Sequence, residues 1–124
     1  MGRRVLVVDD EESIVGLLTT ILGVYGYTPV ASRSARDALE LLGRESFDAV
    51  LLDIAMADMD GYQVCRRIKG DPRWRNLPVV MISALSLEQD RKQALAAGAD
   101  GFILKPFDPR DLALELGRLL DPAS

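Results

Sequence analysis

The sequence predicts a doubly wound α/β fold, a five-stranded parallel sheet with five helices, and three observations predict it. Short apolar runs alternate with helical patterns along all 124 residues. Three of the runs, Val5–Val8, Ala49–Leu52 and Val79–Ile82, are apolar at every position, as strands covered on both faces are. Each run then gives way to a segment with one apolar stripe at helical spacing. Right-handed crossovers stack such helices on both faces of one sheet.

The first strand, Val5–Val8, leads into a helix with the stripe Ile14, Leu17, Leu18, Ile21, Leu22 and Tyr25, which Gly26 ends. Thr28–Ala31 is a weaker run and reads as an edge strand. The next stripe, Ala35, Ala38, Leu39 and Leu42, closes at Gly43. The central strand Ala49–Leu52 precedes a helix packed through Val64, Cys65 and Ile68. After Val79–Ile82 the stripe is thin, made of Leu87, Ala94 and Leu95, with Ser86 and Gln89 as a capping box and Gly98 at the end. Gly101–Leu104 is the second weak strand. The last helix starts with Asp108 as N-cap and Pro109 at the first helical position, and it packs through Leu112, Leu116, Leu119 and Leu120.

A chain of this length has room for one domain, taken as residues 1–124, and its 48% apolar and 27% charged residues are ordinary globular composition. The absence of histidine excludes imidazole as base, metal ligand or phosphate carrier. The single cysteine, Cys65, excludes an internal disulfide and multi-thiolate metal clusters, and it lies on the third apolar stripe, where it reads as packing. It fits a reducing compartment, so the cytoplasm is the expected location. Fifteen basic residues against nineteen acidic ones give a net charge of −4, with the basic ones scattered, so no nucleic-acid partner is expected. The apolar runs fall far short of the ~20 residues a membrane helix needs, and the first stops at Asp9, too early for a signal peptide, so no membrane partner is expected either.

In sheets of this kind, ligands bind outside the carboxyl ends of the strands where the strand order reverses. Strand one ends in Asp9-Asp10, strand three in Asp53, strand four in Ser83 and strand five in Lys105. With the common order 2-1-3-4-5, strands one and three are neighbours, and three carboxylates meet a hydroxyl and an ammonium. Carboxylates held close raise one another's pKa and call for a cation. Oxygen-only ligands suit Mg²⁺ (or Mn²⁺), which takes one or two carboxylates plus phosphate oxygens. Three negative charges met by a dication and an ammonium sum to zero, which leaves a carboxylate oxygen free to attack an incoming phosphoryl group.

The residues Val7-Val8-Asp9-Asp10-Glu11, Leu51-Leu52-Asp53-Ile54-Ala55-Met56, Met59-Asp60-Gly61, Met81-Ile82-Ser83-Ala84 and Gly98 through Phe107 resemble the receiver domain of two-component response regulators, in order and over essentially the whole chain. The resemblance implies the strand order 2-1-3-4-5, the flavodoxin-like arrangement. It implies that Asp53 accepts a phosphoryl group from a histidine kinase or phosphotransfer domain. Asp10, Asp53 and the backbone carbonyl of Ala55 would bind Mg²⁺, with Asp9 acting through a water on that ion. Ser83 would hydrogen-bond a phosphoryl oxygen, and Lys105 would bridge to Asp53 and then to the phosphoryl group. The Lys105-Pro106 bond would be cis, and Phe102 would sit at the aromatic switch position with Ser83 as its trigger. The face of the fourth helix, fifth strand and fifth helix would then change, to control a downstream protein or a missing output domain, or to form a dimer.

Three departures from the family pattern stand out. Ala57 replaces the usual proline after methionine, which should leave that loop less rigid. Ser83 replaces the commoner threonine, and Phe102 lacks the tyrosine hydroxyl, so its switch has to be driven by packing. Ala55 and Leu85, two residues past Asp53 and Ser83, cannot orient an attacking water through their side chains, which suggests slow loss of the phosphoryl group. Three rival readings are weaker. A flavin-phosphate loop would need hydroxyls and glycine where Asp9, Asp10, Glu11 and Glu12 stand. An Asp-x-Asp phosphatase would need an aspartate where Glu11 stands. A scaffold that is never phosphorylated would not need Asp10, Asp53, Ser83 and Lys105 together. The expected activity is self-directed phosphorylation and dephosphorylation with no separate substrate, in a stand-alone regulator or a receiver cut from a longer protein. Trp74 reads as a loop anchor at one end of the sheet, and Arg66-Arg67 and Arg91-Lys92 as solvated faces.

Overall fold

The structure, a computed structural model, describes residues 2–84 and 88–121. Ser86 with its expected capping box, Leu85 and Leu87 lie outside the described residues. The elements are β1 (Arg4–Val8), α1 (Glu12–Val24), β2 (Thr28–Ser32), α2 (Ala35–Arg44), β3 (Ala49–Asp53), α3 (Gly61–Gly70), β4 (Val79–Ser83), α4 (Glu88–Ala96), β5 (Gly101–Leu104) and α5 (Pro109–Leu120). All four strand pairings are parallel and the order is β2-β1-β3-β4-β5, so the weak runs are indeed the edges.

Two cores follow from the alternation of side chains across the central strands. Leu6, Val8, Val50, Leu52, Val79 and Met81 face α2, α3 and α4. Val5, Val7, Ala49, Leu51, Val80 and Ile82 face α1 and α5 through Leu18, Ile21, Leu22, Leu112 and Leu116. Each large side chain fully removed from water on these faces contributes about 1.5–3 kcal/mol, which is why continuous apolar runs select a sheet covered on both sides.

Three details of the sequence reading need correction. On α1 the buried set is Val15, Leu18, Ile21 and Leu22, whereas Leu17 is 48% exposed and Tyr25 44%. Leu17 lies about 100° around the helix from Leu18, and Tyr25 is the C-cap, where the chain is already leaving the helix for Gly26 at φ +88. On α4, Ala94 is buried as its stripe requires, but Leu95 is 63% exposed, and the second buried residue is Asp90, one turn before Ala94 on the same face. Gly43 does not end α2, which continues to Arg44 and stops where Glu45 turns extended. Gly98, at φ +97, does follow α4 as a left-handed stop.

Side chains cap the starts of α2, α3 and α5, whereas Glu11 at the start of α1 makes no such bond. Asp108 accepts from the Arg110 N–H with Pro109 in the first turn, and Asp60 accepts from the Gln63 N–H at the start of α3. At the start of α2, Asp58 accepts from the Ala35 and Arg36 N–H groups at 3.1 Å each and Ser34 from Asp37, so three of the free donors of that helix are met by side chains. Trp74 is half-buried beside Leu77 and Phe47 at the amino ends of β4 and β3, with the Arg73 guanidinium 4.2 Å from its ring, as expected of an anchor. Arg66, Arg67, Arg91 and Lys92 are exposed.

Candidate functional site

The carboxyl ends of β1, β3, β4 and β5 carry the residues that the sequence singled out. Asp9 directly follows β1 and is buried; its Oδ1 accepts the Glu11 N–H at 2.9 Å, and its own N–H donates to the Ser32 carbonyl of β2 at 3.1 Å. Asp10, one residue on, is exposed and its Oδ2 accepts the Ala57 N–H at 3.0 Å. Asp53 ends β3, is 4% exposed and stands opposite Ile82 of β4. Lys105 reaches back from the end of β5, its Nζ 3.3 Å from Asp9 Oδ2, 3.4 Å from Asp53 Oδ1 and 3.9 Å from Glu11 Oε1. The Lys105-Pro106 bond is cis.

Ser83 ends β4 and is buried, and its carbonyl accepts the Lys105 N–H at 2.7 Å, which ties the last residue of β4 to the lysine. Phe102 lies in β5 opposite Met81, half-buried, on the wall of a cleft of about 530 Å³ that Leu104, Phe107, Leu114 and Arg118 also line. Cys65 is buried with its thiol pushed up to about 11 by burial, which makes it an inert packing group.

Burial raises the Asp53 carboxyl to about 6, and the neighbouring Asp9 adds to this against the opposing pull of Lys105 and the Ala55 N–H. Burial draws the Lys105 ammonium down, but Asp53 and Asp9 together outweigh it and hold it above the ordinary lysine value. One oxygen each of Asp9, Asp10 and Asp53 lie within 4.8 Å of one another. Three carboxylates against one ammonium leave an excess of negative charge in a partly open pocket made of oxygen donors. Such a donor set fits a hard dication such as Mg²⁺ and, with no histidine in the chain and Cys65 buried elsewhere, offers nothing to a softer metal.

The sequence pattern of the response regulator receiver domain matches residues 5–116. The chain belongs to the response regulator receiver family. It is therefore a signal-transduction module of two-component systems rather than a metabolic enzyme. A probable transcriptional regulator, ycf27, of Guillardia theta is 40% identical over 118 residues, which are 95% of this chain and 45% of that protein. The receiver spans less than half the length of curated relatives such as these that it matches. A putative response regulator of Chloroflexus aurantiacus has a solved structure with 28% identity and TM-score 0.93, covering 97% of this chain and 98% of that one. The receiver domain of the sensor histidine kinase PA1611 of Pseudomonas aeruginosa, 28% identical with TM-score 0.89 over 97% and 98% of the two chains, holds a magnesium ion in its active-site cleft. Among the described residues no helix is long and apolar enough to cross a membrane.

Sequence reasoning missed how the loop after Asp53 is held. The proline expected after Met56 would have had no N–H, whereas Ala57 gives its own to Asp10. The carboxylate of the next residue, Asp58, is held below the usual range by the α2 amides it caps. The loop that the missing proline should have loosened is thus fastened by hydrogen bonds on both sides. Gly61, in the Met59-Asp60-Gly61 motif, is required by close contact: a Cβ there would lie 2.5 Å from the Asp53 carbonyl oxygen and 2.7 Å from Ile54 Cα. Glycine lets α3 start against the backbone of the acceptor itself.

Proposed function

We propose that the receiver, taken as residues 1–124, is a phosphorylation-dependent switch whose acceptor is Asp53. The observation that carries this reading is the buried Asp53 carboxylate 3.4 Å from Lys105 Nζ, in a cluster with Asp9 and Asp10. A carboxylate oxygen of Asp53 attacks the phosphorus of a phosphohistidine on a histidine kinase or phosphotransfer domain. The O–P bond forms as the P–N bond breaks, the electron pair stays on the imidazole nitrogen, and that nitrogen takes its proton from solvent. In-line attack draws no proton from the carboxylate, so a chain without histidine loses nothing.

Asp10, Asp53 and the Ala55 carbonyl would hold Mg²⁺ or Mn²⁺, with Asp9 in its outer shell, and the ion would supply positive charge to the phosphoryl oxygens. Lys105 gives its ammonium to the same oxygens, exchanging its carboxylate contacts for them, and the Ser83 hydroxyl donates to a third. Because Lys105 and Ser83 are joined through the backbone, movement of either carries β4 and β5 together. Phe102 follows by packing, and the α4-β5-α5 face changes toward a downstream protein, an output domain or a second copy. Water attacking the acyl phosphate returns the switch, so the protein promotes its own phosphorylation and dephosphorylation and turns over no other substrate.

Incubation with a small phosphodonor and Mg²⁺, followed by intact mass, tests the assignment. Wild type is expected to gain one phosphoryl group, and Asp53→Asn none; equal labelling of the variant overturns it.

A further inference from the structure

The geometry points to the backbone N–H of Ala57 as the group that positions Asp10 for a divalent cation. This rests on the reading of the acidic cluster as a cation site. The three carboxylates are not held alike. Asp9 takes donors from Glu11 and Lys105, and Asp53 from Lys105 and the Ala55 N–H, and both are buried. Asp10 is exposed and is held by the Ala57 N–H on Oδ2 at 3.0 Å.

The donor itself is fixed from both sides. The Ile54 N–H bonds the Ile82 carbonyl at 3.2 Å, the Gly61 N–H bonds the Ile54 carbonyl at 2.7 Å, and Asp58 grips the start of α2. Ala57 therefore cannot follow the carboxylate; the carboxylate has to come to it. With Oδ2 engaged, the Asp10 carboxylate is held in one orientation beside the cluster, and ligation no longer has to freeze two side-chain torsions. Outer donors of this kind commonly change metal affinity by about 10–100-fold, and the exposure of Asp10 places the effect near the lower end. The opposing effect is electrostatic: a donor on Oδ2 draws charge away from the ligand, and if that dominated, its removal would tighten binding.

Titration of Mg²⁺ by calorimetry compares wild type with Ala57→Pro, Ala57→Gly and a chain carrying an ester in place of the peptide link into residue 57. The ester removes the N–H without a ring, and Ala57→Gly keeps the N–H while loosening the loop. Proline and ester are expected to raise the dissociation constant about tenfold, with glycine staying within about threefold. Thermal melts in chelator identify any variant that fails to fold, in which case the ester decides. If wild type itself binds no Mg²⁺ at millimolar concentration, the cation reading fails. If wild type binds and the ester chain binds as tightly or more tightly, the positioning role fails. A glycine variant as weak as the proline one, beside an unaffected ester, assigns the effect to loop stiffness and likewise overturns it.

Discussion

At Asp53, burial and repulsion raise the carboxyl from an ordinary 3.8 to about 6. Between those values the folded state binds more protons than the unfolded chain, so stability falls as pH rises through that window. In chelator at neutral pH, Asp53→Asn should therefore be more stable than wild type, by on the order of 2 kcal/mol since the charge is shared with Asp9 and Lys105. The gain should shrink to a small remainder near pH 3.5, where the Asp53 carboxyl is mostly protonated in the folded and the unfolded chain alike. Melts at the two pH values check this, and a variant less stable than wild type at neutral pH contradicts it. Gly61→Ala should act in the opposite direction. Its Cβ meets backbone rather than a pliable side chain, so a loss of about 1–3 kcal/mol is expected from the denaturation midpoint. The gathering of Asp9, Asp10, Asp53, Ser83 and Lys105 was legible because each stands one or two residues past an apolar run, and parallel strands bring such positions to one edge. Asp58 was not, since nothing local announces a side chain that caps a helix 23 residues earlier in the sequence.

Among the elements, α4 departs furthest from its expected stripe. Its buried side chains are Asp90 and Ala94, and Asp90 Oδ2, in a residue only 7% exposed, has no hydrogen-bond partner among the described residues. The Tyr62 hydroxyl, at 3.3 Å, goes to the Asp90 backbone carbonyl instead. Leaving a buried acceptor unmet costs about 1–3 kcal/mol, against about 0.3–1 kcal/mol gained from an acid in the first helical turn. Asp90→Ala should therefore stabilise α4 by on the order of 1 kcal/mol, with slower amide exchange across Arg91–Ala96. Unchanged or faster exchange in that helix would refute the account. The other helices were legible where large aliphatic residues dominate one face, as in α3 and α5. In α4 the stripe holds at Ala94 and fails at Leu95, because apolar character marks a buried position only where the helix face packs against the sheet, and Leu95 points away from it.

For the whole molecule, a parallel sheet gathers every strand's carboxyl end on one side but connects the site unequally to the two edges. Toward β2 the link is the Asp9 N–H to the Ser32 carbonyl, whereas toward β5 it is Ser83 bonded to Lys105, which itself holds two of the acidic side chains. On the proposed reading, a ligand that draws on Lys105 and Ser83 would pull the β4-β5 side of the sheet, where Phe102, Leu104 and Leu114 line the cleft beside α5 and the last two are exposed. Packed layers move between discrete arrangements rather than deforming evenly, so the response should be one-sided. On adding beryllofluoride and Mg²⁺, amide shifts should be larger for Ser83 and residues 88–110 than for residues 28–32 of β2 and the end of α1. Asp53→Asn should abolish the pattern, which separates site occupancy from a general effect of the salt. Shifts spread evenly over both edges, or concentrated at β2, would mean that the strand end carrying Asp9, and not the pair carrying Ser83 and Lys105, transmits the change.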